Sequence, residues 1–208
     1  MKRVFVLLVV LLVLSGPALF ALDLAVGPKV GGSHNFSYGS DFKDDLDFFG
    51  LSQEFKFGIT VGAFLEIGLA PAFAIQPEVY YTTSGYKVED SVDFTAKFIA
   101  IDVLLKGRFG AFRVFAGPAL YYGVGEWTAE MSGFPTITLD KDDRDTLDIR
   151  NTHLAVIVGT GVMFFFCPGQ FGVEARGTIG LQNFLETGNY IQKNAAVGIM
   201  VSYGFPIM

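Results

Sequence analysis

Five ionisable residues, Glu66, Glu78, Lys106, Glu174 and Arg176, stand in stretches where the sequence alternates strictly between apolar and polar positions. Each occupies the polar side of its run, and in a strand that side is shared by every second residue. Counted from the nearest tight turns they lie about four to seven residues along their strands, at similar depth in a paired sheet. Charges of opposite sign enclosed at one depth neutralise each other, and buried charges persist only when paired. The expected chemistry is a structural salt-bridge plug, with a polar path for small solutes or protons as the functional alternative.

The remaining reactive types are sparse. His34 falls in a polar stretch read as the first loop, and His153 lies on the inward face of a later strand near its loop end. Two histidines without a Ser/His/acid spacing form no catalytic constellation, so the chain is read as non-enzymatic, with no catalytic, cofactor-binding or metal residues. The run D-K-D-D-R-D-T-L-D groups Asp140, Asp142, Asp143, Asp145 and Asp148. A calcium loop of the EF-hand kind needs an oxygen ligand at its fifth place and glycine at its sixth. Those places hold Arg144 and Asp145, so the run is expected to be a solvated acidic loop. Cys167, the single cysteine, has no intramolecular partner, and its apolar context predicts a packing residue.

The elements that must position these groups are strands. From Lys56, Phe57, Ile59, Val61, Ala63, Leu65, Ile67 and Leu69 alternate with Gly58, Thr60, Gly62, Glu66 and Gly68. After Ala70-Pro71-Ala72, Phe73, Ile75, Pro77, Val79 and Tyr81 alternate with Gln76, Glu78, Tyr80 and Thr82, which predicts an antiparallel hairpin. Before it, Leu22, Leu24, Val26, Pro28 and Val30 alternate with Asp23, Ala25, Gly27, Lys29 and Gly31. Ser33 to Glu54 loses this periodicity and reads as a long loop. A medium loop from Ser84 to Asp93 leads to a fourth strand up to Phe109. Gly110-Ala111 then turns into a fifth, which begins at Arg113. Glu126 to Asn151 is the longest loop, with seven acidic and three basic residues. Strand six runs from Thr152 to Cys167, and Pro168-Gly169-Gln170 turns into strand seven from Phe171. A loop around Asn183 to Tyr190 precedes strand eight. Long and short connections therefore alternate, which gathers every long loop at one end and every tight turn at the other.

Length and composition set the solvent. The 208 residues fit one domain, and an apolar share of 51% with mean hydropathy +0.44 exceeds that of ordinary soluble proteins. Lys2 and Arg3, the apolar core from Val4 to Leu14, and Gly16, Pro17, Ala18 and Ala21 predict a signal peptide over 1–21, cleaved after Ala18 or Ala21, with 22–208 as the mature domain. Without Lys2 and Arg3 the chain carries 13 basic and 21 acidic residues, net −8, which excludes nucleic acid as a partner.

Alternation alone does not say which face meets lipid. An eight-stranded barrel has a lumen just wide enough for side chains, and here the polar face carries Gly58, Gly62, Gly68, Gly117, Gly159, Gly161, Gly180 and Gly198, which suits the crowded side. Aromatic residues collect at both strand ends: Phe73, Phe109, Phe112, Phe164, Phe166, Phe171, Tyr203 and Phe205 near tight turns, and Tyr81, Tyr122 and Trp127 near long loops. Two interfacial girdles are expected from that placement. The reading is an all-β, eight-stranded antiparallel up-and-down transmembrane β-barrel of the outer membrane. Its long loops are expected to be extracellular, its termini periplasmic and its partner lipid. A soluble lipocalin-like calyx and a membrane-embedded lipid hydrolase are the alternatives.

The L-L-K of Leu104 to Lys106, the A-G-P of Ala116 to Pro118, the E-A-R of Glu174 to Arg176 and the closing V-S-Y-G-F resemble the PorT-type bacterial outer-membrane β-barrel domains, relatives in shape of OmpA and OmpX. The resemblance covers essentially the whole mature chain. It implies a structural or surface-interaction role, insertion machinery reading the C-terminal strand, and an extracellular or secretion-system partner. Such barrels end on an aromatic residue, whereas Pro206-Ile207-Met208 follows Phe205 here.

Overall fold

The computed structural model describes residues 23–89, 92–185 and 191–207. The predicted signal peptide lies outside the described residues. Eight long strands carry the fold: β1 (Asp23–Tyr38), β3 (Lys56–Ala70), β4 (Phe73–Val88), β5 (Val92–Phe109), β6 (Phe112–Gly123), β9 (Thr152–Phe166), β10 (Gly169–Gly180) and β11 (Lys193–Ile207). Short strands β2 (Gln53–Glu54), β7 (Trp127–Met131) and β8 (Ile137–Leu139), with helices α1 (Ser40–Phe49) and α2 (Lys141–Thr146), belong to the long connections.

Each long strand pairs antiparallel with two others, and the β1–β11 and β4–β5 pairings close the sheet into an eight-strand ring. The register can be followed once round. Leu24 faces Ile67, then Ile75, Leu105, Ala116, Val158, Gly177 and Val197, and Val197 faces His34. The circuit returns to β1 ten residues from its start, at His34 instead of Leu24. A stagger of this kind tilts the strands against the barrel axis, by about 40° in small barrels. The outward run from Phe57 to Leu69 then rises about 30 Å at ~3.3 Å per residue, enough for the ~25 Å apolar band of an outer-membrane barrel.

Burial follows period two on every ring strand. Phe57, Ile59 and Val61 are exposed on the outer face, whereas Thr60, Phe64 and Glu66 are buried inside. The predicted parity holds on both strands of the first hairpin. Interior space is made by small residues: a Cβ on Gly159 would collide with the Phe115 ring. The same Cβ would also meet the Ala175 carbonyl oxygen, so Gly159→Val should cost about 1–3 kcal/mol of overpacking strain, read as a lower unfolding temperature; an unchanged melting point would mean that both the Phe115 ring and the β10 backbone give way.

Three expected loops carry regular structure. β1 continues to Tyr38 and α1 follows, so Ser33 to Glu54 is not the solvated loop its composition suggests. β4 and β5 extend to Val88 and Val92, which face each other, and the expected medium loop shrinks to a hairpin tip. The acidic connection after β6 holds β7, β8 and α2. In all three the strands outrun the apolar band, so polar residues continue the sheet without the hydrophobic alternation that marks it.

Tight turns at 71–72, 110–111 and 167–168 share one end with the start of β1 and the close of β11. Gly110 sits at φ 64, the left-handed region that a side chain disfavours. Cys167 is exposed in its turn, not packed as expected, because strand β9 stops at Phe166 and the turn residues have nothing to pack against.

Candidate functional site

Along β5 the inward residues, read from the tight-turn end, are Arg108, Lys106, Leu104, Asp102, Ala100, Phe98, Ala96 and Phe94. They mark the layers of the lumen: charge below, a polar cavity above it, and aromatic rings at the mouth.

In the lower layers the five predicted charges come together. Glu174 accepts from Lys106 at 2.9 Å through Oε1, and from Arg176 at 2.7 Å through Oε2. Glu78 takes a bidentate pair from Arg176, both bonds at 2.7 Å. Lys106 lies 3.2 Å from Glu66 and donates to Gln76 at 2.7 Å. Three further ions join them. Lys29 bridges Glu78 at 2.6 Å and Glu174 at 2.8 Å, Arg108 donates to Glu66 at 2.7 Å, and Asp102 lies 3.7 Å from Arg176 while accepting the Tyr80 hydroxyl at 2.6 Å. Within this network four cations face four carboxylates, the balance that buried ions require, while the neighbouring buried Arg113 donates to the carbonyls of Gly110 and Phe112.

The opposite wall, from β5, β6 and β9, is apolar and built from Leu104, Phe115, Ala119, Ala155 and Ile157. Phe115 presents its ring to the cations of Lys106 at 5.7 Å and Arg176 at 5.2 Å, and Phe64 does the same for Lys29 at 5.3 Å. Lys29 was legible as polar-face sequence but not as a member of the network. Its strand opens at the N-terminus, so no turn supplied a depth mark.

Above the ions lies a cavity of about 90 Å³, lined among others by Thr60, Tyr80, Thr82, Tyr121, His153 and Thr178. Rings close the mouth over it: Phe94, Phe98, Trp127 and Phe184 pack with Ile149. Trp127 is 0% exposed, so it does not join the interfacial girdle that its place beside a long loop predicts. Strand β7 continues the line of β6 along β5 after a break in the pairing at residues 124–126, and Gly123, lacking a side chain, leaves room for the indole. His153 stands between Phe98 and Phe184, with ring centroids at 5.6 and 5.9 Å. His34 lies on the outer face of β1, opposite Phe57 and not in a loop, so the two histidines share no site.

The predicted acidic run is ordered. Asp140 caps α2 by accepting from the Asp143 N–H at 2.9 Å, and the Asp143 carboxylate accepts from the Asp140 N–H at 3.1 Å. Asp145 accepts from Asn151 at 2.9 Å. Asp142 lies in the first turn of α2, and Asp148 takes a left-handed φ of 54 just beyond the helix. Two of the five carboxylates therefore build the helix start. Among the described residues, no group of three or more His, Cys, Asp or Glu side chains could hold a metal ion.

A closed antiparallel ring with an apolar exterior and compensated charge within is the architecture of a β-barrel that crosses a membrane. The sequence family described as outer membrane protein beta-barrel domain matches residues 18–186, and the chain belongs to it. That membership places the protein in the outer membrane. No curated protein sequence matches the chain. Among solved structures it is similar to Ail, the attachment invasion locus protein of Yersinia pestis, at 10% identity over 89% of this chain and 99% of that one, with a TM-score of 0.48. It is likewise similar to Neisserial surface protein A at 14% identity over 86% and 94%, TM-score 0.48. OprG from Pseudomonas aeruginosa aligns at 11% identity over 89% and 96%, TM-score 0.43.

Proposed function

We propose that this protein is a non-enzymatic outer-membrane barrel that works through its outer surface and loops, in envelope integrity or surface interaction, while its lumen serves as a structural plug. The observation that carries the reading is closure at two levels: an ion network across the lower lumen and a ring cluster across the mouth. A hydrophobic-ligand calyx would reverse this arrangement, with apolar layers inside and charge outside. The acidic side chains of α1 and α2 cluster at the long-loop end, which we assign to the extracellular side, with both termini periplasmic. That surface suits a basic partner or cation-bridged lipopolysaccharide phosphates.

The PorT-type kinship carried by Leu104 to Lys106, Ala116 to Pro118, Glu174 to Arg176 and the closing strand is part of the same proposal, as is an accessory role beside a secretion system. Recognition by insertion machinery would use β11, whose pairing with β1 runs past Phe205 through Pro206 and Ile207. Planar-bilayer recording tests the plug. Folded protein, verified by heat-modifiable gel mobility, should give no stable ion-conducting steps; reproducible channels would overturn the reading in favour of a solute path.

A further inference from the structure

His153 is a titratable side chain inside the mouth that takes no part in the ion network. It stands first in the inward row of β9, faces Tyr121 across the ladder to β6, and lines the cavity. Two rings hold it. Phe98 meets the imidazole edge to face at 85°, and Phe184 stacks on it at 22°. The backbone of Arg150 supplies one hydrogen-bond partner, whereas Nε2 is buried and has none among the described residues. Nε2 is therefore the nitrogen that takes up a proton when the imidazole becomes charged.

No counter-charge stands ready for that proton. The groups around the imidazole are Phe98 from β5, Tyr121 from β6, Phe184 from the segment after β10, and Arg150 just before β9. Tyr80 and Arg176 line the same cavity, and Arg144 lies over the Trp127 ring. The charged members of this shell are all cations, and Arg176 is already held by Glu78 and Glu174. Asp145 and Asp148, the carboxylates nearest in sequence, are exposed in the head. Protonation thus adds like charge to an enclosed ring cluster. Aromatic faces attract a cation, yet they offset only part of the cost of enclosing one without an anion. Water must then reach the imidazolium.

The part that can yield is the segment carrying Phe184. The ladder of β10 with β11 ends at Ile179 and Ala195, so this segment lies beyond the ring of paired strands. Two backbone bonds fasten it, from Arg150 N–H to the Phe184 carbonyl at 2.9 Å and from Phe184 N–H to the Gln192 carbonyl at 2.8 Å. We propose that His153 is an acid-operated latch on the mouth of the barrel: protonation at Nε2 breaks its stacking with Phe184, loosens the ring cluster and admits water to the cavity, while the ion network below stays closed. The latch adds a response to acid that the surface role does not require.

Trp127 is the one tryptophan of the sequence and belongs to the ring cluster, so its emission reads the latch. Folded protein in detergent micelles is titrated from about pH 8 to about pH 5, the window in which imidazole changes charge. Acrylamide quenching of Trp127 should rise several-fold as the pH falls, reversibly and with heat-modifiable mobility kept. His34→Gln should preserve that rise, because His34 lies on the outer face of β1, and His153→Gln should remove it. The His34→Gln protein retains a single histidine, so the imidazole resonance of isotope-labelled protein reports the charge of His153 itself. Flat quenching across the window overturns the latch, whether or not that resonance shows protonation. A rise that precedes protonation of His153 also overturns it, as does one that persists in His153→Gln and so belongs to the carboxylates of the head. Where His153→Gln does not fold, the resonance and the quenching in His34→Gln decide between these outcomes by themselves.

Discussion

Glu174→Gln is expected to be the most damaging single substitution in the lumen. The carboxylate meets three cations, Lys29 at 2.8 Å, Lys106 at 2.9 Å and Arg176 at 2.7 Å. An amide of the same shape keeps the volume but removes the charge, and its NH2 group faces donors where an oxygen stood. The cations that lose their partner stay enclosed, and breaking a buried ion pair in this way costs about 3–5 kcal/mol. The measurement is the denaturant midpoint of the folded, heat-modifiable form in detergent or lipid. A midpoint unchanged from the parent protein would mean that water reaches the network and screens it. Lys29→Met combined with Glu174→Gln removes a cation along with the anion, so it should recover part of the loss and expose the coupling as non-additivity. Conductance should not rise in either variant, because the rings of Phe98, Trp127 and Phe184 still close the mouth.

What the sequence made legible follows from where period two operates. Inside the apolar band every residue has lipid on one side and the lumen on the other, so Phe57 to Leu69 and Phe73 to Tyr81 declare their faces unaided. The five charges Glu66, Glu78, Lys106, Glu174 and Arg176 could be placed at one depth because tight turns mark zero on their strands. Beyond the band the constraint disappears. β4 and β5 continue to Val88 and Val92 with solvent on the outside, so Lys87 and Asp93 sit where an apolar residue would stand lower down. Trp127 shows the same limit: its neighbours in sequence are polar, and only the two-residue register shift between the β5–β6 and β5–β7 pairings turns it inward. Lys29 was visible as a polar-face residue, and Asp102 stands on the same inward side of β5 as Lys106. Their membership in the network depends on a ten-residue stagger that no single hairpin reveals.

Arg144→Ala should release the acidic head while leaving the barrel intact. In the sequence Arg144 looks like one more charge in a solvated run, yet it is 2% exposed. Its guanidinium lies 4.6 Å from the centroid of the Trp127 ring. It donates to Asn151 at 2.9 Å and to the carbonyls of Gly125 at 2.8 Å and Leu139 at 3.2 Å. One side chain therefore ties α2 to the entry of the connection, to its exit and to the ring cluster beneath it. Truncation removes the donor of these part-buried acceptors and uncovers the indole; an acceptor that water does not reach costs about 1–3 kcal/mol, and one that it does reach costs less. α2, six residues long, cannot make good that loss by itself, since helices this short are unstable alone. The head should open locally, and trypsin should then cut at Lys141 and Arg150 many times faster than in the parent protein, with heat-modifiable mobility unchanged. Arg144→Lys keeps the charge but lacks the planar fork that reaches several acceptors at once, so it should open the head nearly as far. Equal cleavage rates in all three proteins would show that the ring cluster of Phe94, Phe98, Trp127 and Phe184 holds the head closed without Arg144. The closure at the mouth would then depend on hydrophobic packing alone, and truncating Trp127, not Arg144, would open it.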